Sequence, residues 1–103
     1  MGQKQLPEQE IAAFLASNAG HRAEGGALSR EYRFETYADG VAFAMAVAMV
    51  AERRDHHPDI LLRWAKVTLT WSTHDAGGIT ALDVELSRAS DALARKHGAS
   101  EGS

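Results

Sequence analysis

Residues 59–72 read DILLRWAKVTLTWS, and they decide the fold. Asp59 to Trp64 is a short apolar strand, Ala65-Lys66 a tight connection, and Val67, Leu69 and Trp71 then alternate with Thr68, Thr70 and Ser72. Alternation after a tight connection is the pattern of an antiparallel hairpin with one covered face. The period differs on the N-terminal side. From about Tyr37 to Arg54 the chain is rich in alanine, methionine and valine, and the run from Val41 to Ala51 has almost no polar face. A helix apolar all round must be covered on more than one side. One side can lie on the sheet, and the other calls for a second subunit. Pro58 closes this segment, and His57 before it is pushed toward extended geometry.

Farther out, Leu28 to Glu35 alternates again, with Leu28, Arg30, Tyr32 and Phe34 on one face, as in a half-buried strand. Arg22 to Gly26 reads as a polar loop with two glycines, with room for one extra short strand before Leu28. A first helix begins near Pro7 and carries Ile11, Phe14 and Leu15 on one stripe; Asn18 and Gly20 stop it. C-terminal to the hairpin, Gly77-Gly78 forms a turn. Thr80-Ala-Leu-Asp83 is a capping-box signature opening a last helix with Leu82, Leu86, Ala89 and Leu93 on its stripe. Residues 1–6 and 98–103 read as frayed ends of a single domain. The expected order is α-β-α-β-β-α: an α+β fold with helices packed on one face of an antiparallel sheet.

Composition narrows the function. The 103 residues carry 14 Asp+Glu against 11 Lys+Arg, a formal charge of −3, so no basic surface suited to direct nucleic-acid binding is expected. With no cysteine there is no disulfide framework, thiolate zinc site or cysteine nucleophile. The longest apolar run is shorter than the roughly 20 residues of a membrane-spanning helix, and no secretory stretch opens the sequence. Gly2 follows Met1, but Leu6 stands where a myristoylation signal needs Ser or Thr. A cytoplasmic protein is expected.

Histidine carries the chemistry. Of five, His56 and His57 precede the hairpin and His74 follows it, so the hairpin's return brings them to one sheet edge, flanked by Asp55, Asp59, Asp75 and Asp83. Each alone reads as an ordinary surface histidine, with His56 set against the negative end of its helix. Together they allow a three-histidine metal site, which is disfavoured because neighbours such as His56 and His57 point apart. They also allow acid–base catalysis: imidazole, near its ordinary pKa of about 6.5, gives and takes protons at neutral pH. Such a pair suits an elimination in which one group protonates a leaving hydroxyl and the other removes a proton. Asp83 also suffices as a helix cap, and Trp64 and Trp71 as core or cleft walls.

In order, Glu52, three residues, His56-His57-Pro58, five residues, Trp64, nine residues, His74, eight residues, Asp83 resembles the motif of the pterin-4a-carbinolamine dehydratase family. The flanks agree: Tyr32-Arg-Phe34, Ala51-Glu52, Ser72-Thr-His74 and Gly77-Gly-Ile-Thr80. The resemblance spans the chain from the first helix to the last. It implies loss of water from 4a-hydroxytetrahydropterin to give the quinonoid dihydropterin, without metal or redox cofactor, in pterin recycling after aromatic amino-acid hydroxylation. It implies His56 and His74 as the general acid/base pair, His57 as the group holding and polarising the pterin, and Asp83 as the orienting group. It also places Glu52, Trp64, Asp55, Ser72 and Thr73 beside the substrate. A homodimer or homotetramer through the 37–54 helix and the sheet edge is implied too. The alternative is a non-catalytic binding protein of the same fold, a transcriptional coactivator or assembly chaperone. One departure is that the family's tryptophan after a glycine is here His21, following Gly20. That tryptophan lies near the pterin pocket in relatives, so the change bears on substrate affinity. His21 itself reads as an exposed loop histidine, or as a fourth imidazole near the other three.

Overall fold

The computed structural model describes residues 3–100. Three helices, α1 (Glu8–Ser17), α2 (Tyr37–Arg54) and α3 (Ala81–Lys96), accompany four strands, β1 (His21–Glu24), β2 (Ala27–Arg33), β3 (Asp59–Arg63) and β4 (Lys66–Trp71). The sheet is antiparallel throughout, in the order β1-β2-β4-β3. It is the α+β architecture read from the sequence.

Period-two alternation builds the core. Leu28 pairs with Trp71 and Tyr32 with Val67, which puts those four side chains and Leu69 on one face, all buried. Phe43, Val47 and Ala51 of α2 and Leu86 and Ala94 of α3 pack onto that face. Phe14 of α1 closes on Leu28 and Ile79 in a smaller cluster. On α3 the buried positions are Asp83, Leu86, Ser87, Ser90 and Ala94, whereas Leu82 and Leu93 of the expected stripe are half-buried. Ser90 can occupy this interior because its hydroxyl donates to Leu86 O (2.8 Å).

Several local readings change. The extra strand is present: residues 22–24, within the expected loop, pair with β2, and Gly25-Gly26 make the two-residue turn with φ of +59° and +77°, where glycine is favoured. The second hairpin turns one residue earlier than expected, at Trp64-Ala65, because Arg63 already pairs with Lys66. Helix α2 ends at Arg54, before Pro58 can act, because Asp55 takes left-handed geometry and its N–H bonds Ala51 O and Glu52 O. Near the ends, Leu6 N donates to Ile79 O (2.9 Å), Gln5 bridges Thr80, and Ser100 N donates to Arg33 O (2.8 Å), so residues 5–6 and 100 are docked, not frayed. Of the ends read as frayed, Met1, Gly2 and residues 101–103 lie outside the described residues. Among the described residues no helix is long and apolar enough to cross a membrane.

His21 opens β1 with its side chain only 1% exposed, its ring edge-on to Phe14 and its Nε2 2.8 Å from Asp91 Oδ2 on α3. It is neither an exposed loop histidine nor part of the His56–His74 cluster, because the strand start turns it inward. Tyr32 Oη donates to Asp91 Oδ1 (2.5 Å), and Arg30 stands 3.0 Å from the same oxygen. Burial, and then the hydrogen bond to Asp91, push the Tyr32 hydroxyl far above its ordinary range. Burial alone would raise the Asp91 carboxyl, but the hydrogen bonds from His21 and Tyr32, with the Arg30 guanidinium, outweigh it and hold Asp91 below the ordinary aspartate range.

Asp91 therefore stabilises the fold fully above about pH 4, and that contribution is lost as pH falls through its lowered folded value. Asp91→Ala should cost about 2–4 kcal/mol at neutral pH in urea unfolding, and the gap from wild type should narrow toward pH 3. A gap of equal width at both pH values would contradict the assignment.

Candidate active site

At the open end of the hairpin, the chain leaving α2 and the chain leaving β4 face each other across a cleft of about 350 Å³, lined by Asp55, His56, His57, Ser72, Thr73, His74 and Asp75. The left-handed turn at Asp55 swings His56 and His57 off the helix axis, and a short 3-10 helix (His74–Ala76) continues β4 on the other side. The three histidines expected at one sheet edge therefore line one cavity.

Asp83 is the buried centre of the group, with no solvent exposure. Its Oδ1 lies 2.6 Å from His56 Nε2. Its Oδ2 accepts from the Thr80 backbone N–H (2.9 Å), the helix-capping bond expected from the sequence, and from the Thr73 hydroxyl (2.8 Å). The Thr80 hydroxyl stands 3.3 Å from the same oxygen and 2.9 Å from Thr73 Oγ1. One carboxyl group thus caps α3, pins the end of β4 and orients an imidazole. The His56 ring also stacks on Trp71, with centroids 6.0 Å apart and planes 10° from parallel. Held on one face by an indole and at one nitrogen by a carboxyl oxygen, it has a single orientation.

The other two imidazoles are less constrained. His57 is exposed, with Nε2 2.8 Å from Glu52 Oε1 one helical turn back. The His74 side chain is exposed and makes no hydrogen bond among the described residues. Asp83 engages Nε2 of His56 and leaves Nδ1 as that ring's remaining nitrogen for proton exchange, whereas both nitrogens of His74 are available. One oriented base beside one unrestrained imidazole is an arrangement able to move two protons on a small molecule. Among the described residues no group of three or more His, Asp or Glu side chains is placed to hold a metal ion.

Not every expected residue arrives. Trp64 sits at the hairpin turn, 76% exposed, and does not line the cleft, because the turn is a full strand length from the hairpin's open end. Asp59, at the exposed start of β3, also falls outside the lining. Glu52 reaches the group only through His57. The sequence reading paired Thr80 with Asp83 as a helix cap and missed that the Thr73 hydroxyl joins them. Its one signal was Thr73, beside His74 and seven residues before the capping threonine.

The family profile described as pterin 4 alpha carbinolamine dehydratase matches residues 4–93. A Nocardia farcinica protein provisionally named pterin-4-alpha-carbinolamine dehydratase is 42% identical over 90 residues, covering 87% of this chain and 95% of that protein. One of the same provisional name from Halobacterium salinarum is 46% identical over 68 residues, covering 66% of this chain and 75% of that protein. A Brucella melitensis crystal structure described as a transcriptional coactivator/pterin dehydratase superposes with a TM-score of 0.83 at 29% identity, covering 88% of this chain and 99% of that one. A pterin dehydratase-like protein identified as a RuBisCO assembly factor of the alpha-carboxysome shares the fold, with a TM-score of 0.61 at 23% identity over 74% of this chain and 88% of that one.

Replacing Thr73 by Val removes a hydroxyl from a buried acceptor without changing side-chain volume. It should lower stability by about 1–3 kcal/mol in chemical denaturation, while Thr73→Ser stays closer to wild type. Equal stability of the two variants would show that the Thr73 hydroxyl does not support Asp83.

Proposed function

The chain belongs to the pterin 4 alpha carbinolamine dehydratase family, and from that membership we propose that it dehydrates 4a-hydroxytetrahydropterin to quinonoid dihydropterin and water. The observation that carries the reading is the cleft in which His56, fixed by Asp83, shares its walls with His57 and His74. Elimination needs one proton delivered to the 4a-hydroxyl as its carbon–oxygen bond breaks, and one removed from N5 as the carbon–nitrogen double bond forms. In this reading His56 takes the N5 proton on the nitrogen turned away from Asp83, and His74 protonates the departing hydroxyl. Each ends in the other's starting protonation state; His74 then takes a proton from solvent and His56 gives its proton up to water in the cleft. His57, oriented by Glu52, holds and polarises the pterin. Asp55, Ser72 and Thr73 complete the walls. Loss of water changes no oxidation state overall, so the step calls for no redox cofactor.

The reaction would serve pterin recycling after aromatic amino-acid hydroxylation, in the cytoplasm. The working unit in this reading is a homodimer or homotetramer. Met45 and Met49, 58% and 60% exposed on the outer side of α2, form with Ala48 an apolar face that a second copy would cover. The same face supports a second reading, a binding protein of this fold acting as a coactivator or assembly chaperone. That reading needs the α2 surface and leaves the histidines without a task.

His74→Ala should lower turnover by about 100-fold or more with the fold intact, the scale of a lost general acid or base. Wild-type turnover in that variant would remove His74 from the mechanism. Activity should survive chelator treatment, and a loss restored by zinc would point to a metal site instead. Light scattering at micromolar concentration should report a dimer or tetramer, and a monomer would leave α2 without its proposed cover.

A further inference from the structure

His74 is the member of the histidine group whose place is set by its backbone. Its side chain makes no hydrogen bond among the described residues, and its backbone lies in a 3-10 turn of three residues, His74–Ala76. Hydrogen-bond geometry in such a turn is poorer than in an α-helix, so one turn by itself is a weak support. The Ala76 and Gly77 N–H groups close it by donating to Thr73 O (3.1 Å each), and Thr73 N–H donates to Gly78 O (3.3 Å). None of these bonds uses the Ala76 carbonyl oxygen.

Gln5 takes that oxygen from the other end of the chain. Its side-chain Nε2–H donates to Ala76 O (2.9 Å). Its backbone forms an antiparallel bridge with Thr80, and the N–H of Leu6 donates to Ile79 O (2.9 Å). Leu6 packs on the cluster of Phe14, Leu28 and Ile79, which anchors this stretch to the fold. The Gln5 side chain then lies across the turn that follows His74. A Cβ added to Gly77 would stand 3.2 Å from Gln5 Nε2, and one added to Gly78 would stand 3.1 Å from Gln5 Cδ. Gly77 has a φ of +75° that itself favours glycine, but Gly78 has no positive φ. What the bare Gly78 admits is the close approach of Gln5.

On the dehydratase reading, which this inference rests on, His56 and His74 must both reach one small molecule. His56 is fixed by Asp83 and Trp71, so the spacing of the two imidazoles varies with the His74 turn. We propose that Gln5 is a positioning residue for His74. By bonding Ala76 O and lying against Gly77 and Gly78, it holds the turn in the shape that keeps the His74 imidazole at proton-transfer distance. Gln5 is outside the cleft lining and acts only through that turn.

The test is a mutant cycle on turnover above the spontaneous rate. Gln5→Met keeps the side-chain length and removes the donor, and Gln5→Ala removes the side chain. Misplacing a reacting group by about 1 Å costs about 100-fold, and a loosened turn should cost less: about tenfold in kcat for Gln5→Ala and about threefold for Gln5→Met, with KM unchanged. In a His74→Ala background neither substitution should lower kcat further, because the group being positioned is gone. Amide exchange at Ala76 and Gly77 should quicken in both variants, with or without substrate. Wild-type kcat in both variants, an equal loss with and without His74, or unchanged exchange overturns the positioning role while leaving the dehydratase reading standing. If wild type accelerates no dehydration, the dehydratase reading fails and this inference with it, even where exchange quickens. Should Gln5→Ala fail to fold by circular dichroism, Gln5→Met alone decides.

Discussion

A carboxyl group cannot be buried without partners, and much of this structure is arranged to meet that demand at Asp83. Its two oxygens are met by an imidazole, a backbone N–H and two threonine hydroxyls drawn from three separate segments. Desolvating a polar group costs several kcal/mol when it goes unbonded, so these segments cannot drift apart independently. The start of α3, the end of β4 and the turn after α2 are joined at one point, and the histidine cleft opens beside it. The polar network that holds the fold together is also the one that orients the imidazole.

Asp91, two turns farther along α3, does a related task at the other side of the sheet. It ties the helix to β1 through His21 and to β2 through Tyr32 and Arg30. Helix α3 is thus fixed to the sheet by two buried polar contacts as well as by Leu86 and Ala94. Its small buried residues, Ser87, Ser90 and Ala94, let it lie close to the sheet, which a leucine-rich stripe would prevent. The Arg54–Glu85 ion pair linking α2 to α3 is exposed on both sides, so solvent screens it and it adds little beside these contacts. His21 is accommodated in the interior: its ring stands edge-on to Phe14 and has a carboxyl partner in Asp91.

Periodicity made the fold legible. Alternation in residues 28–35 and 67–72 and the near-continuous apolar run after Tyr37 produced strands and a helix at almost the boundaries observed, because those patterns follow from which face must leave water. The misreadings fall where local chemistry competes with pattern. Arg22–Glu24 is polar and short, and only pairing with β2 makes it a strand. Gln5 and Leu6 look like a free end until Thr80 and Ile79 offer them a partner.

By itself the sequence determined the element order, the face of each strand that is buried, and the gathering of three histidines at the open end of one hairpin. These depend on spacing along the chain, which the chain itself records. Only the tertiary structure decided which of those histidines is restrained. His56 gains Asp83 from 27 positions away, and His57 gains only Glu52 from the preceding helix. It also decided that His21 faces inward, that Trp64 stands apart from the cleft, and that two glycine turns distant in sequence wall a cavity beside it. Such pairings depend on how helices and loops meet across the sheet, and no local pattern encodes a partner that distant in the chain.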